Sequence, residues 1–429
     1  MPPNDELIKT QSADTNLLLR LQRITTNYAS YLQQFYARNP GLASASYSDQ
    51  RAALMADACG WADFWSVALT KLGYTATDVI ANAEPMQKAW VRENGKADTS
   101  SEWIYEIVTA QVESFAPDVL FVNDYVTFTA DFLRHLRSRC PAIRLVLGWC
   151  GAPYQDPSVF TEYDVVLSNV PELVEDFTSR GHRCYLINHA FDARILSRLG
   201  PSGSVIDFSF IGTIWKDKNF HNNREQLLLD LIAQTNLQIF TDLFKPALRR
   251  RLDTKLKGSL YDSSQLLLNL GVPRSAVAKL PVLGKTLQWG ERPASNQSLD
   301  ERLARIAQPP IFGVEMFRQL RDSKISLNTH IDLSSSHASN MRLYEATGVG
   351  TCLLTDWKPN LPELFDVESE VVTYRNASEC IEKVRYLLDH EQERQRIATA
   401  GQQRTLREHT FDNRAEQLDD LIRSTLMAK

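Results

Sequence analysis

Two doubly wound, Rossmann-like α/β domains in series, facing each other across a cleft, are the fold class this sequence predicts, and three observations predict it. At 429 residues the chain is too long for one ordinary hydrophobic core and long enough for two. Short apolar, β-branched runs alternate with segments of helical periodicity, and no hairpin turn joins consecutive runs. That is the pattern of βαβ units and of parallel sheets covered on both faces. A turn-rich break, Gly200-Pro201-Ser202-Gly203, separates one such series from a second.

The elements follow in order. Over 17–37, Leu18, Leu21, Ile24, Tyr28, Tyr31, Leu32 and Phe35 recur at helical spacing, which predicts an amphipathic helical prelude within an N-terminal extension, 1–45. The first domain, 46–200, takes its strands from the runs at 52–56, 77–80, 119–122, 145–149, 164–168 and 184–187. Helices are expected between them at 61–72, 102–115, 128–139 and 171–180. The second domain, 201–410, has strands at 208–211, 237–241, 325–328, 351–354 and 370–374, separated by helices at 224–234, 314–322, 340–347, 360–365 and 377–389. Two strongly charged helices close the chain at 391–409 and 413–427, and the segment 411–429 is expected to cross back and brace the first domain. A helical insertion at about 244–310 interrupts the second series. In it Leu248, Leu252 and Leu256 share one helical face beside a basic one. This reads as a solvated face over ordinary core, with membrane or acceptor contact through 245–257 peripheral at most.

Composition narrows the function classes. With 43% hydrophobic and 23% charged residues and a mean hydropathy of -0.29, the chain is of the globular class. A net charge of -5 provides no overall field for nucleic acid or anionic lipid. The six cysteines are scattered without a Cys-x-x-Cys pair or a Cys/His cluster, which disfavours zinc and a disulfide framework. No leader pattern and no apolar run of spanning length is read. A reduced, cytoplasmic protein without a metal or other cofactor is the expectation.

Ligands of open parallel sheets bind beyond the carboxyl ends of the strands. The most informative loop there follows 325–328 and runs through Thr329-His330-Ile331-Asp332-Leu333-Ser334-Ser335-Ser336-His337-Ala338-Ser339-Asn340 into a helix. Small residues such as Ser339 and Asn340 at a helix N-terminus suit a diphosphate. Glu345, read as an exposed residue of that helix, is placed to accept hydrogen bonds from a ribose diol. A capped helix with a solvated glutamate is the competing reading. Basic candidates for the diphosphate are Arg342 on the helix and Lys216, Lys218 and Arg224 beside the loop at Gly212. A guanidinium can bind two phosphate oxygens at once, where a Lys offers only a point charge. A general base for an acceptor is sought in the first domain among Asp57 and Asp63, which flank Gly60, Asp124, and His189 at the domain junction.

The run Asn340-Met341-Arg342-Leu343-Tyr344-Glu345-Ala346-Thr347-Gly348-Val349-Gly350-Thr351-Cys352-Leu353-Leu354-Thr355-Asp356, with Asn360-Leu361-Pro362-Glu363-Leu364-Phe365 and Glu370-Val371-Val372-Thr373-Tyr374, resembles the C-terminal module of the CgeB-like branch of the group 1 glycosyltransferases. The likeness continues through Arg407-Glu408-His409-Thr410-Phe411, and Phe210-Ile211-Gly212-Thr213 resembles that branch's entry into the second domain. The first half carries a fainter likeness at Trp61-Ala62-Asp63-Phe64-Trp65 and Asn82-Ala83-Glu84-Pro85-Met86.

The resemblance implies the GT-B fold and transfer of a sugar from a nucleotide sugar to an acceptor whose identity is open: glycan, lipid, small molecule or protein. In family 4 of these enzymes two glutamates are separated by seven intervening residues, one near the donor sugar and one on the ribose. Glu345 matches the second, whereas the first position is His337, a departure that leaves the stereochemical outcome open. Arg342, which lies within the resemblance, ranks first among the basic candidates. The resemblance also implies catalysis without a metal, basic side chains and helix termini meeting the leaving diphosphate. Two alternatives remain: a nucleotide-sugar epimerase on the same fold, and a degenerate transferase acting as a binding or scaffold protein.

Overall fold

The computed structural model describes residues 18–428 apart from 96–101, 155, 202, 204, 215–221, 243–247, 271, 274–275, 278–279, 281–282, 287–299 and 335, and leaves the side chains of 222, 248–255 and 284–285 undescribed. It divides into two compact units. The first holds the chain up to Ser168, Leu173–Ile187 and Phe411–Lys429; the second holds Asn169–Glu172 and Asn188–Thr410.

In the first unit six parallel strands lie in the order β2-β1-β3-β4-β5-β6: β1 Arg20–Thr25, β2 Thr75–Ile80, β3 Val119–Val122, β4 Leu145–Trp149, β5 Val165–Ser168 and β6 Cys184–Leu186. The central strands are buried on both faces because helices cover each side, so β3, β4 and β5 read as unbroken apolar runs. Two expectations are corrected here. The strand expected at 52–56 is the helix Tyr47–Ala56, capped by Ser46. The sixth strand instead comes from the expected helical extension, whose residues 20–25 pair with both β2 and β3; the true helix there is Ala29–Arg38. The physical reason is Arg23. A central strand seldom carries a charge, yet Arg23 is buried with Asp78 of β2 at 2.6 Å and also donates to the carbonyl of Ala62. Gln22 and Arg23 in the strand imitate the polar face of a helix.

The chain's end completes this unit. The helix Phe411–Met427 seats Phe411 among Phe64, Trp65 and Trp61 with ring centroids 5.1, 5.3 and 6.4 Å away. Asp419 accepts from the Tyr74 hydroxyl at 2.6 Å. The helix Glu391–Glu408, in contrast, stays with the second unit, where Thr405 and Thr347 join hydroxyls at 2.6 Å.

In the second unit five parallel strands lie in the order β11-β10-β9-β7-β8: β7 Ile206–Ile211, β8 Gln238–Phe240, β9 Ser323–Asn328, β10 Cys352–Asp356 and β11 Val372–Tyr374. All five fall on the expected runs. Phe208, Phe210, Ile325, Leu327, Leu354 and Val384 are among its core. The chain leaves β7 toward β8 and returns on the other side of β7 as β9, so the strand order reverses between β7 and β9. In a doubly wound sheet that switch point opens a crevice beyond the carboxyl ends of the two strands. Within the insertion the described helices are Leu248–Asn269, Leu283–Thr286 and Glu301–Ile306. Of the basic segment 245–257 only Leu256 and Lys257 have described side chains, so the expectation placed on it lies otherwise outside the described residues.

Candidate donor site at the switch point of the second sheet

Two loops leave the switch point, Gly212-Thr213 after β7 and Thr329-His330 after β9, and Arg224 ties them together. It reaches from the helix Asn222–Ile232 and donates to the carbonyls of Thr213 and Thr329, each at 2.6 Å. Its guanidinium is 5.6 Å above the Phe210 ring, and burial pushes it down to about 10, still well above neutrality. At Gly212 a Cβ would come within 3.0 Å of the tip of the Phe210 ring, so a larger residue there would make the ring give way slightly.

The helix expected at 340–347 is Arg342–Gly348, seven residues that begin two positions later. Side chains fix the turn before it. Asn360 accepts from the Ala338 N–H at 2.7 Å, and Ser339 is buried with its hydroxyl 2.8 Å from that of Ser334. Asn340 donates to Asn328 Oδ1 at 2.7 Å, which locks the helix entry onto the end of β9. So short a helix contributes little dipole, and the charge at this site resides in side chains.

Arg342 and Glu345 form a pair within the first turn, 2.9 Å apart, with side-chain exposures of 13% and 9%. Arg342 also donates to the carbonyl of Ile211 at 3.1 Å, the last residue of β7. The expectation that Glu345 is exposed is therefore corrected. The helix packs between β9, β10 and the helix Glu391–Glu408, and burial raises the Glu345 carboxyl, an effect that Arg342 opposes.

His330, Asp356 and Lys358 were not singled out in the sequence, and they complete the cluster. The register of β9 against β10 pairs Asn328 with Thr355, so the residues just beyond them meet: His330 Nδ1 is 2.7 Å from Asp356 Oδ1, which also accepts the His330 backbone N–H at 3.2 Å. Lys358 lies 3.4 Å from the other oxygen. Burial alone would raise the Asp356 carboxyl, but His330 and Lys358 outweigh it and hold it at about 2. The parallel register was the signal that could have found this pair.

Around these contacts several buried polar atoms have no hydrogen-bond partner among the described residues: Arg224 Nε, Arg342 Nε, His330 Nε2 and Asn340 Oδ1. Leaving such an atom unpaired costs about 1–3 kcal/mol, and native structures carry few of them. Four of them lie on one linked set of loops. Among the described residues no group of three His, Cys, Asp or Glu side chains could hold a metal ion.

The remaining expected residues are distributed as follows. His337 lies in the same loop, its Nδ1 3.1 Å from Glu172, a residue of the short segment that packs with the second unit. Lys216 and Lys218 lie outside the described residues. Asp57 and Asp63 belong to the first unit and follow a helix, not a strand. Asp57 caps the helix Tyr47–Ala56 at its C-terminus and is 3.5 Å from Arg38; Asp63 precedes the helix Phe64–Lys71. Gly60 between them takes a left-handed φ of 62° beside the Asn27 side chain, just past β1. Asp124 serves its own turn, accepting from the Val126 and Thr127 N–H groups and from Thr26.

Comparison with known proteins bears on the fold. Residues 246–420 match the family described as glycosyl transferase-like. A glycosyltransferase from Rickettsia africae is similar in structure over 95% of this chain and 98% of its own, with a TM-score of 0.52 and 8% identity. HepE of Anabaena, in complex with UDP-glucose, gives 0.51 at 9% identity over 95% and 100%. A sucrose-phosphate synthase from Thermosynechococcus elongatus gives 0.50 at 12% over 96% and 100%. At these identities the likeness is one of fold, which is GT-B. No curated protein matches the chain in sequence.

Proposed function

From a chain whose residues 246–420 are glycosyl transferase-like and whose fold is GT-B, we infer a glycosyltransferase that moves a sugar from a nucleotide-sugar donor to an acceptor without a metal ion. The observation that carries this reading is the concentration of buried, incompletely paired cationic N–H groups at the switch point of the second sheet, next to a buried carboxylate. Arg342 and Arg224 suit a diphosphate, whose oxygens would take the free Nε–H bonds. Glu345 suits a ribose diol, which would donate two hydrogen bonds to it. Its pairing with Arg342 opposes the upward push of burial on the carboxyl and orients it before the donor arrives.

The chemistry follows from where charge develops. As the glycosidic bond to the donor phosphate breaks, negative charge grows on the leaving diphosphate, and guanidinium groups fixed by Ile211, Thr213 and Thr329 stabilise it without rearranging. His337, with Glu172 beside it, stands where the family 4 pattern has its donor-sugar glutamate. Asp57 and Asp63 remain the proposed bases on the acceptor side, and Asp57→Asn and Asp63→Asn test each. The HepE complex with UDP-glucose supports the donor class.

The test is donor turnover. Incubated with UDP-, GDP-, ADP- and dTDP-sugars in EDTA, the protein should slowly release one nucleoside diphosphate even without an acceptor. Arg342→Ala should lower kcat about 100-fold or more while KM changes less, as for a lost transition-state contact. Unchanged kcat removes Arg342 from the mechanism. Turnover abolished by EDTA and restored by Mn²⁺ or Mg²⁺ overturns the metal-free reading, and interconversion of the sugar without its release indicates an epimerase.

A further inference from the structure

His330 has a chemical constraint that the rest of the cluster lacks. Asp356 accepts the His330 backbone N–H at 3.2 Å and lies 3.4 Å from Lys358 Nζ, partners that favour its carboxylate whatever the charge of the ring, so its Oδ1 accepts and the His330 Nδ1 2.7 Å away carries the proton of that bond. The neutral ring then has a bare lone pair at Nε2. That atom is buried, in a side chain only 1% exposed, and has no partner among the described residues. A lone pair facing an anion is repulsive, and only the imidazolium offers an N–H there.

We infer that binding of a nucleoside diphosphate at this site is coupled to the uptake of a proton by His330, which then holds the anion through Nε2–H while Asp356 balances its charge. This rests on the donor-site reading above. The proton comes from solvent, no covalent bond of the ligand changes, and the Nδ1–H···Asp356 bond is kept.

From the end of β10, Asp356 stays ionised across neutral pH, with the Lys358 side chain 3.4 Å from it. From the helix Asn222–Ile232, Arg224 stays charged at about 10. From β11, burial raises the Tyr374 phenol, which stays neutral while donating to the Asn328 carbonyl at 2.8 Å. Arg342 and Glu345 on the helix Arg342–Gly348, and Asp332 in the same loop as His330, remain. Of these, Glu345 is the one whose protonation could imitate the effect, so the experiment separates it from His330.

Isothermal titration of the full chain with UDP, GDP, ADP and dTDP, in buffers of different ionisation enthalpy from pH 6.5 to 8.5, reads the number of protons exchanged. For the diphosphate that binds, uptake approaching about one proton is expected at the upper end of this range, with affinity falling by up to about 10-fold per pH unit as pH rises. His330→Gln, which keeps a hydrogen-bonding side chain but cannot titrate, should bind several-fold more weakly and with no uptake. Glu345→Gln should keep the uptake. Asp356→Asn, the second probe should His330→Gln fail to fold, removes the counter-charge and should shift the uptake to lower pH. Tight binding with no proton uptake, or uptake equal in wild type and His330→Gln, overturns the coupling and leaves the donor site standing. Failure of all four diphosphates to bind overturns both.

Discussion

A carboxylate and a guanidinium buried 2.9 Å apart have to be altered with their shape preserved. Glu345→Ala leaves Arg342 buried without its counter-ion, a loss of about 3–5 kcal/mol, so reduced binding in that variant would report damage to the fold. Glu345→Gln keeps the volume and one acceptor. It should retain the wild-type melting profile within a few degrees and weaken nucleoside diphosphate binding by about 10-fold or more. Wild-type affinity in a folded Glu345→Gln protein would remove the ribose role. The Asp356 pair makes a separate prediction in acid. Its carboxyl is depressed, so the stability it contributes is present above the unfolded value near 3.8 and is lost as pH falls through about 2. Melting temperature against pH should therefore fall less steeply below about pH 4 in Asp356→Asn than in wild type, and parallel acid limbs would show that the pair adds nothing to stability.

At the scale of elements, the site depends on how closely backbone segments approach. Arg224 satisfies one carbonyl in each switch-point loop. Arg224→Leu should cost about 1–3 kcal/mol, because the Thr213 carbonyl loses this donor and the Thr329 carbonyl keeps the longer bond from Asn340 at 3.4 Å, and raise hydrogen exchange in both loops first; protection unchanged at residues 212–214 and 329–331 would contradict this staple. Gly401 is required where the helix Glu391–Glu408 passes the loop before β11, since a Cβ would overlap the carbonyl oxygen of Glu370. Backbone cannot swing aside as a side chain can, and Gly401→Ala should cost about 1–3 kcal/mol, read as a lowered midpoint in denaturant. The same scale shows what the sequence made legible. All five strands of the second sheet could be read because each is a short apolar run between turn signals. The first strand of the first sheet could not, because Arg23 and Gln22 are buried by partners distant in sequence. Glu345, Arg342 and Asn340 could be found by their helix and its resemblance, but their pairing depends on burial that spacing does not reveal. His330 and Asp356 lie 26 residues apart and meet only through the register of β9 on β10.

Over the whole molecule, the first unit is built from both ends of the chain, β1 between β2 and β3 in its sheet and the helix Phe411–Met427 packed against it. Phe411→Ala should cost about 3–5 kcal/mol, because three aromatic rings lose their common partner. The loss should fall on the first unit. In a calorimetric scan the transition that nucleoside diphosphate does not raise should move down, while the one it raises stays in place; an equal shift of both would show that the units unfold as one. Among the described residues no helix is long and apolar enough to cross a membrane, and the net charge of -5 leaves any attraction for anions to local clusters such as Arg224, Arg342 and Lys358. The central claim, a nucleotide-sugar site at the switch point of the second sheet, is tested most directly by titrating the full chain with UDP, GDP, ADP and dTDP and repeating the titration with Glu345→Gln. The account predicts saturable 1:1 binding of one of the four, weakened about 10-fold or more by the substitution; a folded wild-type protein that binds none of them would contradict it.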